Sequence, residues 1–205
     1  MDPLPEESPD LERLVREAVA GDAAARERLV AGHLPGLRAY VRLRLNPTLR
    51  AKESCSDVVQ SICREVVENL GRFEYRGEAS FRLWLYRSAL NKIIDKQRYW
   101  LADRRDPGRE RAQDPRDSRS RVLSDSYATI TTPSRVAMDR EGVARIESAF
   151  DRLPDRYRAV ILLSRIVGLP HREIARQMGK TEQATRTLLR RALVRLAGIL
   201  DEAGG

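Results

Sequence analysis

Disulfides, metal clusters and aromatic layers have little to draw on in this chain. Its 205 residues include 2 cysteines and 2 histidines, and only 5% are aromatic. Two cysteines cannot build a disulfide framework, and with two histidines they fall short of a Cys/His zinc site. Cys55 and Cys63 read as ordinary core or surface thiols, and His33 and His171 lack any partner pattern for metal or catalysis. No apolar run approaches the roughly 18 residues that a membrane helix needs, so no membrane insertion is expected. The first ten residues are acidic and Pro-rich, the reverse of a secretory leader's basic and then apolar start. Carboxylates are plentiful, but no dyad or His cluster stands in a catalytic context, so neither an enzyme nor a cofactor is expected. The expected setting is a reduced cytoplasm.

Positive charge is what the chain has in excess. Lys+Arg number 38 against 30 Asp+Glu, a net charge of +8 and a pI near 10.0. Between Leu153 and Leu200 ten basic residues stand against three acidic ones, so nearly the whole excess lies in the last quarter. A compact basic module creates a field suited to a polyanion, of which nucleic acid is the commonest. On charge alone, a solvated Arg-rich helical surface is an equal alternative.

Strand signals are scarce and helical periodicity runs throughout. Leu11, Leu14, Val15 and Ala18 form a first stripe that stops at Gly21-Asp22, where Asp22 can cap a second helix. That helix runs towards His33, is interrupted or restarted at Pro35, and continues through Leu37, Tyr40 and Val41 until Asn46-Pro47 turns the chain. Ser56 then reads as an N-cap, with Asp57 placed favourably against the helix dipole. Val58, Val59, Ile62, Cys63, Val66, Val67 and Leu70 follow as a buried face, closed by Gly71. Past Gly77, the residues Phe81, Trp84, Leu85, Ala89, Ile93 and Ile94 outline another amphipathic helix with a basic end. Trp84 sits on the apolar stripe, Tyr86 is open to either role, and Tyr99-Trp100 is a candidate for stacking on bases.

Composition changes near Asp103. From there to about Thr132 the chain is rich in Asp, Arg and Ser, with no sustained apolar period, which reads as a flexible linker. The expected architecture is all-α: a helical bundle over 1–102, a linker over 103–133, and a second helical domain over 134–205. Pro133-Ser134 opens that domain with a helix carrying Val136, Val143, Ile146 and Phe150.

The last segment holds a core helix around Ala159–Leu163, broken by Gly168, then a short helix from His171 to Met178. Gly179-Lys180 makes a tight turn, Thr181 is placed to cap, and a final helix carries Ala184, Leu188, Leu189, Ala192 and Leu196. Two helices joined by a Gly-containing turn, the second Arg-rich, have the pattern of a helix-turn-helix. Its early turns offer Gln183, Arg186, Thr187 and Arg190, beside Arg191. In a major groove Arg bonds guanine bidentately and Gln does so with adenine. An ordinary helical hairpin with an Arg-rich outside is the plain alternative.

Two runs carry a family resemblance. Ser56 to Glu65, then Phe73, then Ser80 to Asn91 resemble region 2 of bacterial sigma factors, most closely the extracytoplasmic-function group, which keeps regions 2 and 4 only. Leu153-Pro154 through Gly168-Leu169, Glu173-Ile174-Ala175 and Arg190-Arg191-Ala192 resemble their region 4. The resemblance spans about Leu11 to Leu200. It implies an RNA polymerase sigma factor, which gives core polymerase its promoter specificity and helps melt the start site, the polymerase doing the chemistry. By the same resemblance Asp57, Gln60, Ser61 and Arg64 dock on the clamp coiled coil of the polymerase's largest subunit. Ser80, Phe81 and Asn91 meet the −10 element, with Lys92, Lys96 and Arg98 on backbone phosphates. Gln183, Arg186, Thr187, Arg190 and Arg191 read the −35 element as duplex. An anti-sigma partner is a further implied possibility. The rival reading is a helix-turn-helix regulator acting without the polymerase, which leaves the Asp57 to Asn91 pattern unexplained.

Overall fold

A computed structural model describes residues 9–102 and 140–203. Every regular element among them is helical. The expected linker and the Pro133-Ser134 helix start with Val136 lie outside the described residues.

The N-terminal half contains α1 (Pro9–Val19), α2 (Ala23–Arg44), the single turn α3 (Pro47–Arg50), α4 (Cys55–Asn69) and α5 (Glu78–Ala102). Asp22 caps α2 as expected: its carboxylate accepts from the Ala25 N–H at 2.7 Å. Asn46 does the same for α3 through the Leu49 N–H at 2.8 Å. The interruption considered at Pro35 does not occur. α2 runs through it, and the proline and Ala31, whose carbonyl loses its i+4 donor, are both exposed. Water can take the place of the missing donor.

The start of α4 differs from expectation. Ser54, not Ser56, is the N-cap, and the Val58 N–H donates to the Ser54 carbonyl at 3.1 Å. Buried Cys55 belongs to the core, so packing draws the first turn two residues earlier than the polar pattern suggests. Asp57 still sits in that first turn.

Four helices of this half enclose one core, with α2 against α1, α4 and α5, and α4 against α5. Leu29, Leu43, Ile62, Phe81 and Ile93 are all essentially inaccessible. Each large side chain so buried contributes roughly 1.5–3 kcal/mol.

The C-terminal half contains α6 (Arg140–Asp151), α7 (Asp155–Ile161), α8 (His171–Met178) and α9 (Glu182–Glu202). α7 does not continue as a uniform helix to Gly168. It widens into a π turn over Leu162–Ile166, with the Val167 N–H donating to the Leu162 carbonyl at 2.9 Å. Gly168 then reverses the chain at φ +70°, a conformation costly for any residue with a Cβ. α9 lies across α6, α7 and α8 and buries Leu189, Ala192, Leu196 and Ile199.

Candidate nucleic-acid interface

On α4 the apolar side faces inward: Val58, Val59, Ile62 and Val66 are buried. Helical geometry then leaves Asp57, Gln60 and Arg64, spaced by three and four, together on the solvent side. All three are exposed and Ser61 is half-buried beside them. Cys63 is half-buried too, and burial pushes its thiol above the ordinary range, as expected of a packing residue rather than a reactive one. Asp57, Gln60 and Arg64 thus form an exposed polar stripe along one side of α4.

The long helix α5 separates the residues grouped on it by sequence. Ser80 is spent on the helix start: its hydroxyl donates to the Gly77 carbonyl at 2.6 Å and accepts from the Arg76 N–H at 3.0 Å. Phe81 is a core residue, 1% exposed, with its ring against Phe73 and His33 at centroid distances of 5.5 and 5.0 Å. The expectation that Phe81 faces DNA is corrected here: the i+4 stripe Phe81, Leu85, Ala89, Ile93 is the inward face. Tyr86 is likewise interior, edge-on to Tyr40 at 5.0 Å, and burial pushes its hydroxyl pKa far upward. Asn91 and Arg98 are exposed.

The two lysines of α5 are not bare charges. Lys92 pairs with Glu65 at 2.9 Å, and Lys96 pairs with Glu53 at 2.8 Å. The same Glu53 oxygen accepts from the Trp100 indole N–H at 3.0 Å, and the Lys52 ammonium lies 5.7 Å from that ring's centroid. Trp100 is therefore pinned against the α3–α4 connection, while its neighbour Tyr99 stands 61% exposed. Glu53 escaped the sequence reading. It lies 43 residues from Lys96, and no local pattern announces such a pair.

In the C-terminal half the turn and cap follow the sequence reading. Gly179 takes the left-handed conformation at φ +61°, ending α8, and the Lys180 N–H returns to the Ala175 carbonyl at 2.9 Å. Thr181 caps α9 by accepting from the Ala184 N–H at 3.2 Å. Thr185 is wholly buried, its hydroxyl donating to the Thr181 carbonyl at 3.0 Å. That polar group is satisfied within its own helix, so it can pack where a Val would fit.

With Thr185 and Leu189 turned inward, Gln183, Arg186 and Arg190 project outward at spacings of three and four, beside half-buried Thr187. Arg186 reaches Glu182 only at 3.6 Å. Among the described residues Arg190, Arg191 and Arg195 form no ion pair. Those three, with Tyr157, Val194 and Gly198, line an open groove of about 510 Å³ between α7 and α9. Arg195 and Val194 were missed by the sequence reading, although Arg195 lies one helical turn beyond Arg191. An exposed, uncompensated arginine face on a capped helix is suited to duplex phosphates and base edges.

Comparison with known proteins separates a polymerase subunit from a free-standing regulator. Residues 29–105 match the family model described as Sigma-70 region 2, and residues 144–196 match Sigma-70, region 4. The ECF RNA polymerase sigma factor SigD of Mycobacterium tuberculosis is 30% identical over 95% of this chain and 85% of its own length. ECF RNA polymerase sigma factor ShbA of Streptomyces griseus is also 30% identical, over 92% of this chain and 94% of that protein. This chain belongs to the extracytoplasmic-function sigma factors.

In fold the sigma factor is similar to CnrH, solved in complex with the cytosolic domain of CnrY. The TM-score is 0.57 at 25% identity, covering 93% of this chain and 96% of the other. Region 2 is carried on α1–α5 and region 4 on α6–α9. As a sigma factor it binds core RNA polymerase and promoter DNA through these two regions and is not itself an enzyme. Among the described residues no helix is long and apolar enough to cross a membrane, and no cluster of His, Cys, Asp and Glu could hold a metal.

Proposed function

We propose the following division of labour for this sigma factor, acting in the cytoplasm. The Asp57, Gln60, Ser61 and Arg64 face of α4 docks on the clamp coiled coil of the polymerase's largest subunit. The outer face of α5 engages the −10 element, with Asn91 on an unstacked base and Lys92, Lys96 and Arg98 on the single strand's phosphates. Ser80 shapes the turn into that helix, and Phe81 supports it from the core. Gln183, Arg186, Thr187, Arg190 and Arg191 read the −35 element in the duplex. A protein partner in the role of an anti-sigma factor, as CnrY is a partner of CnrH, belongs to the same reading.

The observation that carries it is the pairing of two rigid polar stripes on separate helices. Asp57, Gln60 and Arg64 leave α4 through the solvent face of region 2, while Gln183, Arg186 and Arg190 leave α9 through that of region 4. The first mixes both signs and suits a protein surface; the second is free of acidic side chains and suits DNA.

The test is assembly with core RNA polymerase followed by run-off transcription on a pool of upstream fragments. Stable assembly with sequence-selective transcripts is expected. Asp57→Ala with Arg64→Ala is expected to weaken assembly, whereas Arg190→Ala is expected to leave assembly intact and lower selectivity. Tight duplex binding with no affinity for core would replace this reading with a regulator working through α9 alone.

A further inference from the structure

The aromatic pair that ends α5 is split by the fold into an anchor and a free ring. Trp100 is the anchor: its indole N–H donates to the Glu53 carboxylate at 3.0 Å, and the Lys52 ammonium lies 5.7 Å from its ring centroid. Tyr99 meets that ring edge-on, at a centroid distance of 5.4 Å and an interplanar angle of 82°. It is still 61% exposed, and among the described residues only Val194 is another large apolar side chain so open.

A single exposed tyrosine needs no explanation by itself. The setting of this one supplies a reason. At about 100° per residue, Tyr99 lies about 80° round α5 from Asn91, while Lys92 and Lys96 lie at about 100° and 140°. Arg98 falls about 20° to the other side of Asn91. The ring thus stands inside the arc proposed to meet the −10 strand, between its base contact and its lysines. Asp95, at about 40°, is the one carboxylate in that arc and is exposed. It keeps phosphates to the lysine and arginine margins and leaves the middle of the face to bases. Along the axis, residues rising about 1.5 Å each put Tyr99 about 12 Å beyond Asn91. A strand advancing about 3.4 Å per nucleotide covers that distance in roughly three to four nucleotides.

We propose that Tyr99 is a stacking platform for a second nucleobase of the opened −10 strand, roughly three to four nucleotides from the base assigned to Asn91. The inference rests on the reading of α5 given above. The ring is held before DNA arrives, because Trp100 confines one side of it and Glu53 fixes Trp100. Less rotational freedom is then lost on stacking. Every base has a π-face, so Tyr99 adds affinity for the opened strand and leaves base choice to Asn91. In closed duplex the bases already stack on one another and none is free to cover the ring.

The test uses holoenzyme and a single-stranded −10 oligonucleotide taken from a promoter that the run-off pool yields. Tyr99→Ala is expected to weaken binding roughly ten-fold, with the salt slope unchanged because no phosphate contact is lost. Tyr99→Phe is expected to stay within about two-fold of wild type, since the ring and not the hydroxyl makes the contact. Assembly with core polymerase should be unaffected in both, which a folding defect would not allow. Abasic replacement along the oligonucleotide then locates the partner base. At one position, roughly three to four nucleotides from the one coupled to Asn91→Ala, removing the base should cost wild type about ten-fold and Tyr99→Ala almost nothing. Unchanged binding by Tyr99→Ala, an equal loss in Tyr99→Phe, or no coupled position at that spacing would each overturn the platform. If Asn91→Ala still weakened binding, the −10 reading of α5 would stand without it. Unchanged binding in both alanine variants, or a pool that yields no promoter, would overturn the −10 reading and the platform together.

Discussion

The two helices proposed to face DNA differ in how their positive charge is held. On α5, Lys92 and Lys96 are neutralised by Glu65 and Glu53 at 2.9 and 2.8 Å. On α9, Arg190 and Arg191 have no ion pair among the described residues, and Arg186 has only a long one. A phosphate arriving at α9 meets cations ready to release its counterions, whereas one arriving at α5 must displace a carboxylate. The face proposed for duplex therefore carries free cations, and the face proposed for melted strand carries paired ones.

Five substitutions probe that contrast, starting with the scaffold behind the paired face. Phe81→Ala should cost about 3–5 kcal/mol, because a fully buried ring leaves a cavity against Phe73 and His33. Both tryptophans, Trp84 and Trp100, lie in the N-terminal half, so denaturation followed by their fluorescence reports that half directly. A loss under 1 kcal/mol would mean that the α5 stripe is not the core support described here. Next, Arg186→Ala or Arg190→Ala in the holoenzyme should cost about 1–3 kcal/mol of promoter binding and relax preference at one base pair. A uniform loss across all sequences would reassign the residue to phosphate.

Thr181→Ala removes the cap of α9 and should cost about 1 kcal/mol in thermal or chemical unfolding, since the Ala184 N–H loses its protein acceptor. The smallest effect sharpens the comparison most. Glu53→Gln keeps an acceptor for the Trp100 indole while removing the charge that faces Lys96. Holoenzyme carrying it should bind a single-stranded −10 oligonucleotide two- to three-fold more tightly, about 0.5 kcal/mol, with a salt dependence steeper by roughly 0.7. An unchanged salt slope would show that Lys96 touches no phosphate.

Much of the molecule was legible in one dimension because its signals are local. Asp22 before Ala23, Thr181 before Glu182 and Gly179 after Met178 are cap and turn residues acting within four positions, and each does what its chemistry dictates. The α4 and α9 stripes follow equally from helical period: once Ile62 and Leu189 are inside, Gln60 and Arg190 are outside. Ser56 misled because polarity alone marks a cap, whereas burial of Cys55 sets where the helix begins. Phe81 misled because a family motif names which residues recur and not which of them are structural. Its place in the i+4 series with Leu85 and Ala89 carried the better signal.

The amino-acid sequence by itself determined the helices, the caps at Asp22 and Thr181, the helix-turn-helix and the surplus charge of region 4, all of which depend on neighbours within a turn or two. Only the tertiary structure decided which cations are free. Glu53 reaches Lys96 across 43 residues, and Glu147 reaches Arg42 across 105. Such pairs depend on how helices cross, and crossing is set by the packing of whole faces, which no local period encodes.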